Sequence, residues 1–185
     1  MVFERYREDA RRAIFFSRWE AHRSNSTNIE PKHILLGLTH DADSKANQLF
    51  GLSACTEDLR SLLGVHASAQ PSTSVDLPLS NPSKRVLAYA AEEAERLDSR
   101  SIGTEHLLLG LLREKESSVL QTLAKAGIDL RSARNRIRKA QGLPILEPEP
   151  DGRETSLRPI RPFAAVALLV AVLSLFYLLV RLVDS

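Results

Sequence analysis

A single cysteine, Cys55, in 185 residues leaves no intramolecular disulfide to stabilise the fold. A reducing compartment fits that usage, and Cys55 is expected to be partly buried packing. Aromatic residues make up only 5% of the chain, and half of them (Phe3, Tyr6, Phe15, Phe16 and Trp19) fall in its first nineteen positions. The net charge of +2 is too small to argue for a polyanionic partner. The charges at Glu4, Arg5, Arg7, Glu8, Asp9, Arg11 and Arg12 break any apolar run that a secretion signal would need. Catalytic patterns are missing too. There is no G-x-x-x-x-G-K-[ST] phosphate loop, no Ser/His/Asp or Cys/His grouping at an elbow and no paired-carboxylate signature. His33 and His106 each stand without Cys, Asp or Glu at ligand spacing, and His22, His40 and His66 form no set. The expectation is therefore a non-enzyme with no metal and no cofactor. The basic run RSARNRIRKA carries Arg131, Arg134, Arg136, Arg138 and Lys139 without interleaved aromatics. It reads as a solvated helical face, with anionic headgroups as the second reading and no nucleic-acid partner.

What the chain does have is 43% hydrophobic residues, enough to bury a core, arranged in two very different ways. From Phe163 to Val180 no residue is charged. As a helix this stretch spans roughly 27 Å, about the hydrocarbon thickness of a bilayer, and Arg181 can snorkel while the helix continues to residue 183. Residues 163–183 are thus expected to be a single transmembrane tail anchor. Arg153, Arg158 and Arg161 precede it, which places the N-terminal body in the cytoplasm. Residues 142–162 are rich in proline, lack sustained apolar periodicity and read as a linker. Its reach is about 25 Å as a coil and up to about 60 Å if extended.

The body, residues 1–141, reads as all-helical. Phe3, Tyr6, Ala10, Ala13, Ser17 and Ala21 form one stripe at helical spacing; Val86, Ala90, Ala94 and Leu97 form another. Asn81 is a natural N-cap for the latter helix, with Pro82 as its first residue, and Asp129 caps a last helix, LRSARNRIRKA, that runs to a stop at Gly142. IEPKHILLGLT (29–39) returns as IGTEHLLLGLL (102–112) at an offset of 73 residues. Arg12, Glu20, Ala21, His33, Gly37 and Leu38 all recur at that offset, and Asp58-Leu59-Arg60-Ser61 recurs at 71, so the first copy has two extra residues. The pattern predicts two tandem four-helix repeats, about 1–64 and 80–141, related by a pseudo-twofold axis. The LLGL helices are apolar nearly all round and are expected in the centre.

The opening FERYREDARRAIFFSRWEA, the doubled H-[IL]-L-L-G-L, the IGTEH and their spacing resemble the Clp repeat domain. That is the N-terminal domain of Clp unfoldases such as ClpC and ClpA. The resemblance implies a Clp N-domain fold and a module that docks substrates or adaptors ahead of ATPase rings. With no phosphate loop here, it implies the recognition module alone, carried on a membrane, the bacterial inner membrane by expectation. Implied partners are client proteins or peptides, arginine-phosphorylated ones among them, and a separate Clp ATPase that receives the clients. The alternative is a structural or regulatory membrane protein that keeps the fold but not client binding.

The two copies differ at one place that this resemblance makes important. In ClpC-like proteins Gly-Thr-Glu contributes to a site for phosphorylated arginine, and Gly103, Thr104 and Glu105 match it. A hydroxyl and helix-start N–H groups suit a phosphoryl group, and a carboxylate suits the guanidinium. The first copy has Glu30, Pro31 and Lys32, which lack one donor and reverse the charge. The same residues also suit plain helix capping, so a structural start and a ligand-binding start both stand. As the start of a helix, Glu105 is expected to be exposed.

The anchor expectation is checked by protease added to sealed right-side-out vesicles. The helical body should stay intact and deletion of residues 163–185 should give a soluble protein; cleavage of the body from outside contradicts this topology.

Overall fold

Helical periodicity becomes eight α-helices among residues 4–68, 77–115 and 117–145, the part of the chain that a computed structural model describes. The first repeat holds α1 (Glu8–Arg23), α2 (Pro31–Thr39), α3 (Lys45–Phe50), a 3₁₀ turn (Leu52–Cys55) and α4 (Thr56–Leu62). The second holds α5 (Asn81–Arg96), α6 (Thr104–Arg113), α7 (Ser118–Lys125) and α8 (Leu130–Ala140). All described residues belong to one compact unit, Met1–Leu146. The linker beyond residue 145 and the expected span 163–183 lie outside the described residues, as does Phe3. No described helix is long and apolar enough to cross a membrane.

α2 and α6 form the centre, as their uniform apolarity requires. Leu35, Leu36, Leu108 and Leu109 are fully buried, each such side chain contributing about 1.5–3 kcal/mol. α1 packs against α2 and α5 against α6, with Ala10, Ala13, Ser17 and Ala21 on one stripe and Val86, Ala90 and Ala94 on the other buried between them. The small residues let the backbones approach closely. A Cβ on Gly37 would collide with the Ala13 carbonyl and the Ser17 side chain; one on Gly110 would strike the Val86 carbonyl and stand 3.1 Å from the Ala90 nitrogen. The recurring glycine of each LLGL segment is therefore set by a helix crossing.

Among the described residues no strand forms, yet two isolated parallel bridges join the repeats: Tyr6 with Ile102 and Ile29 with Leu79. Arg7 N–H donates to the Ile102 carbonyl (2.8 Å) and Ile102 N–H to that of Arg5 (2.7 Å). Ile29 N–H donates to the Pro78 carbonyl (2.9 Å) and Ser80 N–H to that of Ile29 (3.0 Å). The segment entering the first helix of each repeat is thus tied to the segment entering the second helix of the other.

Two local expectations change. Ser80, not Asn81, caps α5: its Oγ accepts from Ser83 N–H at 3.2 Å, and the helix begins one residue earlier than expected. Ser beats Asn here because its hydroxyl also reaches Ser83 Oγ, 3.0 Å away. Cys55 is exposed, since it closes the 3₁₀ turn at the surface while Leu52 turns inward. Asp129 caps α8 as expected, accepting from Arg131 and Ser132 N–H at 2.9 and 3.0 Å, and left-handed Gly142 (φ 71°) follows that helix. The α8 cations are only partly a solvated face. Arg134 turns inward to Glu93, and Arg136 donates to the Leu49 carbonyl (3.0 Å).

Gly110→Ala gains about 1 kcal/mol of helix propensity but forces backbone apart at the crossing. The clash should win, for a net loss of about 1–3 kcal/mol. Leu108→Ala should cost about 2–5 kcal/mol. Chemical denaturation checks both; a stabilised Gly110→Ala contradicts the crossing.

Candidate functional site

α6 starts where the other repeat crosses it, and that placement decides the surroundings of the three expected residues. Gly103 is the N-cap, Thr104 the first helical residue and Glu105 the second. Gly103 N–H donates to His106 Nδ1 (2.9 Å), so the histidine side chain caps the first turn. His33 does the same for α2, accepting from Glu30 N–H at 3.0 Å.

Glu105 is not exposed: its side chain is fully buried. The bridge between Tyr6 and Ile102 lays Arg7 across it, and the guanidinium donates to both carboxylate oxygens, Nη1 to Oε1 at 3.1 Å and Nη2 to Oε2 at 2.7 Å. This fork-to-fork geometry is the strong form of a charge-assisted hydrogen bond. Arg7 also donates to Asp9, from Nε at 3.2 Å and Nη2 at 2.8 Å. Thr104 Oγ1 closes the ring, donating to Asp9 Oδ2 (3.2 Å) and accepting from Ala46 N–H (3.1 Å). Lys45 Nζ stands 3.7 Å from Glu105 Oε1. The Asp9 hydrogen bond, reinforced by Glu105, raises the Arg7 pKa against burial. Burial would raise the Asp9 pKa, but hydrogen bonds from Arg7, Ala10 and Thr104 with the Arg7 charge hold it below the usual carboxylate range.

The structure therefore brings Gly103, Thr104 and Glu105 together and adds Arg7, Asp9 and Lys45 from the other repeat. Sequence reading missed these three because Arg7 and Glu105 are 98 residues apart. Nothing local distinguishes Arg7 among the many charges of the N-terminal segment. The corresponding start of α2 differs throughout. Lys32 Nζ pairs with Glu30 at 2.9 Å, Pro31 replaces the threonine, and the crossing segment carries Ser80 and Pro82 at the offsets of Arg7 and Asp9.

A second charged feature is common to both repeats. Glu20 and Glu93, 73 residues apart, are buried on α1 and α5. Glu20 accepts from Arg60 and lies 2.8 Å from His40 Nε2. Glu93 takes Arg134 on both oxygens (2.9 and 2.7 Å) and Arg113 at 3.1 Å. Their recurrence inside an apolar stripe was the one sequence signal for a buried charge.

The profile of the Clp repeat (R) N-terminal domain matches residues 5–126 and 78–166. Over 147 residues the chain is 35% identical to the chaperone protein ClpB of Oceanobacillus iheyensis, covering 77% of this chain and 18% of that protein. It is 34% identical over 149 residues to the Clp protease ATP-binding subunit ClpC of Staphylococcus epidermidis, covering 78% and 18%. The chain thus spans under a fifth of the length of these relatives. The N-terminal domain of ClpD from Arabidopsis thaliana superposes with a TM-score of 0.60 at 27% identity, over 77% of this chain and 97% of that one.

The histidine caps make stability depend on pH. His33 is fully buried with Nδ1 accepting, so it is neutral and carries its proton on Nε2, facing Ser24 Oγ at 3.2 Å. Burial, helped by Lys32, lowers its pKa to about 4 from 6.5. Between these values the unfolded chain binds the additional proton, so stability falls as the pH drops through that window. The loss should be of order 3 kcal/mol, at about 1.4 kcal/mol per pK unit. Gln at this position can cap without titrating. Urea denaturation across pH should therefore show a shallower acid slope for His33→Gln; equal slopes contradict the assignment.

Proposed function

The chain belongs to the Clp repeat (R) N-terminal domain family, and on that premise we propose that it is a docking module for proteins or peptides, held at a membrane by residues 163–183. Clients gathered there would pass to a separate Clp unfoldase. The observation that carries the docking site is the Arg7 guanidinium seated bidentately on buried Glu105. A carboxylate at this helix start fits a guanidinium, and the resident group is itself an arginine. Arg7 is one-third exposed whereas Glu105 is not, so an arginine-bearing client reaches the carboxylate by displacing Arg7. A phosphoryl group on that arginine would meet the Thr104 hydroxyl, the first N–H groups of α6 and the Lys45 cation. Pro31 and Lys32 deny the first repeat an equivalent site.

The same ion pair supports a second reading, in which Arg7 and Glu105 are a clamp between repeats and the domain serves as a structural or regulatory membrane partner. A buried pair loses about 3–5 kcal/mol when one partner is removed, whatever its function. Phosphoarginine binding by calorimetry separates the two, with thermal melts confirming that each variant is folded. Arg7→Ala should bind more tightly than the wild type because the internal competitor is gone. Glu105→Ala should lose about ten- to hundredfold in affinity, the equivalent of a charge-assisted hydrogen bond of about 1.5–3 kcal/mol. Lys32→Glu should change little. If neither the wild type nor Arg7→Ala binds at millimolar ligand, the clamp reading stands and the docking site fails.

A further inference from the structure

The outer face of α1 carries residues that the fold does not need. Phe15 is 66% exposed and Trp19, one turn on, 46%. Arg11, Arg12 and Arg18 are exposed around them. Arg23 lies over the Trp19 ring at 5.3 Å. Glu8 stands 3.2 Å from Arg11 and Asp41 2.6 Å from Arg12, so Arg11, Arg12 and Arg23 alone outnumber these two carboxylates. The platform is supported from behind: Phe16 stacks on His40 at 4.4 Å and Trp19 meets the same ring edge-on at 5.4 Å.

The second repeat serves as an internal control. At an offset of 73 residues, Phe16 and His40 become Tyr89 and Arg113, whose cation–π contact at 4.4 Å preserves the support. Phe15, Arg18 and Trp19 become Ala88, Ala91 and Glu92. An equivalent helix thus packs without Phe15, Arg18 or Trp19, although Arg11 and Arg12 keep cationic counterparts in Lys84 and Arg85. Folding does not account for the aromatic pair, and large exposed apolar side chains mark interaction surfaces.

We propose that this face of α1 docks on an anionic lipid surface. Aromatic rings level with arginines are the composition that settles at a headgroup boundary, rings among the acyl carbons and guanidiniums on phosphates. The chain also supplies proximity: beyond the described residues it continues through a linker of about 25–60 Å reach to the charge-free stretch 163–180. This proximity rests on the membrane reading of 163–183; the headgroup recognition does not. At such tether lengths a weak face-on contact becomes an intramolecular one at about millimolar effective concentration.

Trp19 is the only tryptophan, so its fluorescence reports on this face alone. The full chain is mixed with phosphatidylcholine vesicles or with vesicles containing phosphatidylglycerol, each with brominated acyl chains, and flotation is measured alongside emission. Trp19 should shift to shorter wavelength and be quenched in the anionic vesicles only. Salt, Arg11→Gln with Arg18→Gln, or Phe15→Ala should weaken both effects. Salt-resistant flotation reports the anchor separately: quenching without it sinks the anchor and leaves this proposal standing. Flotation with unaltered Trp19 emission, or equal quenching in both lipids, overturns the proposal. A shift given only by a glutamate-rich peptide also overturns it, in favour of a protein partner.

Discussion

The reciprocal backbone exchange between repeats is the constraint on which the candidate site depends. Each pairing involves only two hydrogen bonds, at 2.7–2.8 Å around Ile102 and 2.9–3.0 Å around Ile29. Individually such bonds add about 0.5–1.5 kcal/mol. Their larger effect is positional. They fix what lies over the start of each central helix, and they do so with chain from the other repeat. Over α6 they place Arg7 and Asp9, so that a carboxylate at the second helical position becomes the floor of an ion pair. Over α2 the same exchange brings in Ser80 and Pro82, and no such cluster forms. Two equivalent crossings thus produce a single charged seam.

Behind that seam the repeats share a design that tolerates buried charge. Glu20 and Glu93 interrupt otherwise apolar stripes and would be costly if left unpaired. Each draws one partner from the end of its own central helix region, His40 or Arg113, and a guanidinium from the last helix of its repeat, Arg60 or Arg134. The buried carboxylate therefore ties three elements together, and it specifies which helix closes the repeat more than it adds stability. The histidine caps vary in the same way. His33 has Ser24 beside its second nitrogen, whereas the offset position is Leu97 and the buried His106 Nε2 finds no partner among the described residues.

These differences separate scaffold from function within one molecule. Where both copies agree, as at Gly37 and Gly110 or at the buried leucines, the residue answers to packing. Where they diverge at equivalent places, packing has been satisfied in two ways and something else distinguishes them. The Thr104–Glu105 start and the aromatic face of α1 are two such divergences. The first faces the seam between repeats and the second faces outward, so the two proposed sites do not overlap.

The helices, their repetition and the burial of the LLGL leucines were legible in the sequence because they follow from local periodicity. A side chain every 3.6 residues either continues an apolar stripe or breaks it. Asp129 and Gly142 were legible for the same reason, since caps depend on neighbours two to four residues away. The shift of the α5 cap to Ser80 shows the limit of that rule where two competent residues adjoin. Tertiary structure alone decided the rest. Cys55 reached the surface because a 3₁₀ turn, not a helix face, presents it. Glu105 was buried by an arginine 98 positions earlier, brought there by a backbone crossing that no local pattern announces. Ion pairs depend on proximity in space, and a charge in sequence carries no record of which distant charge the packing will set against it.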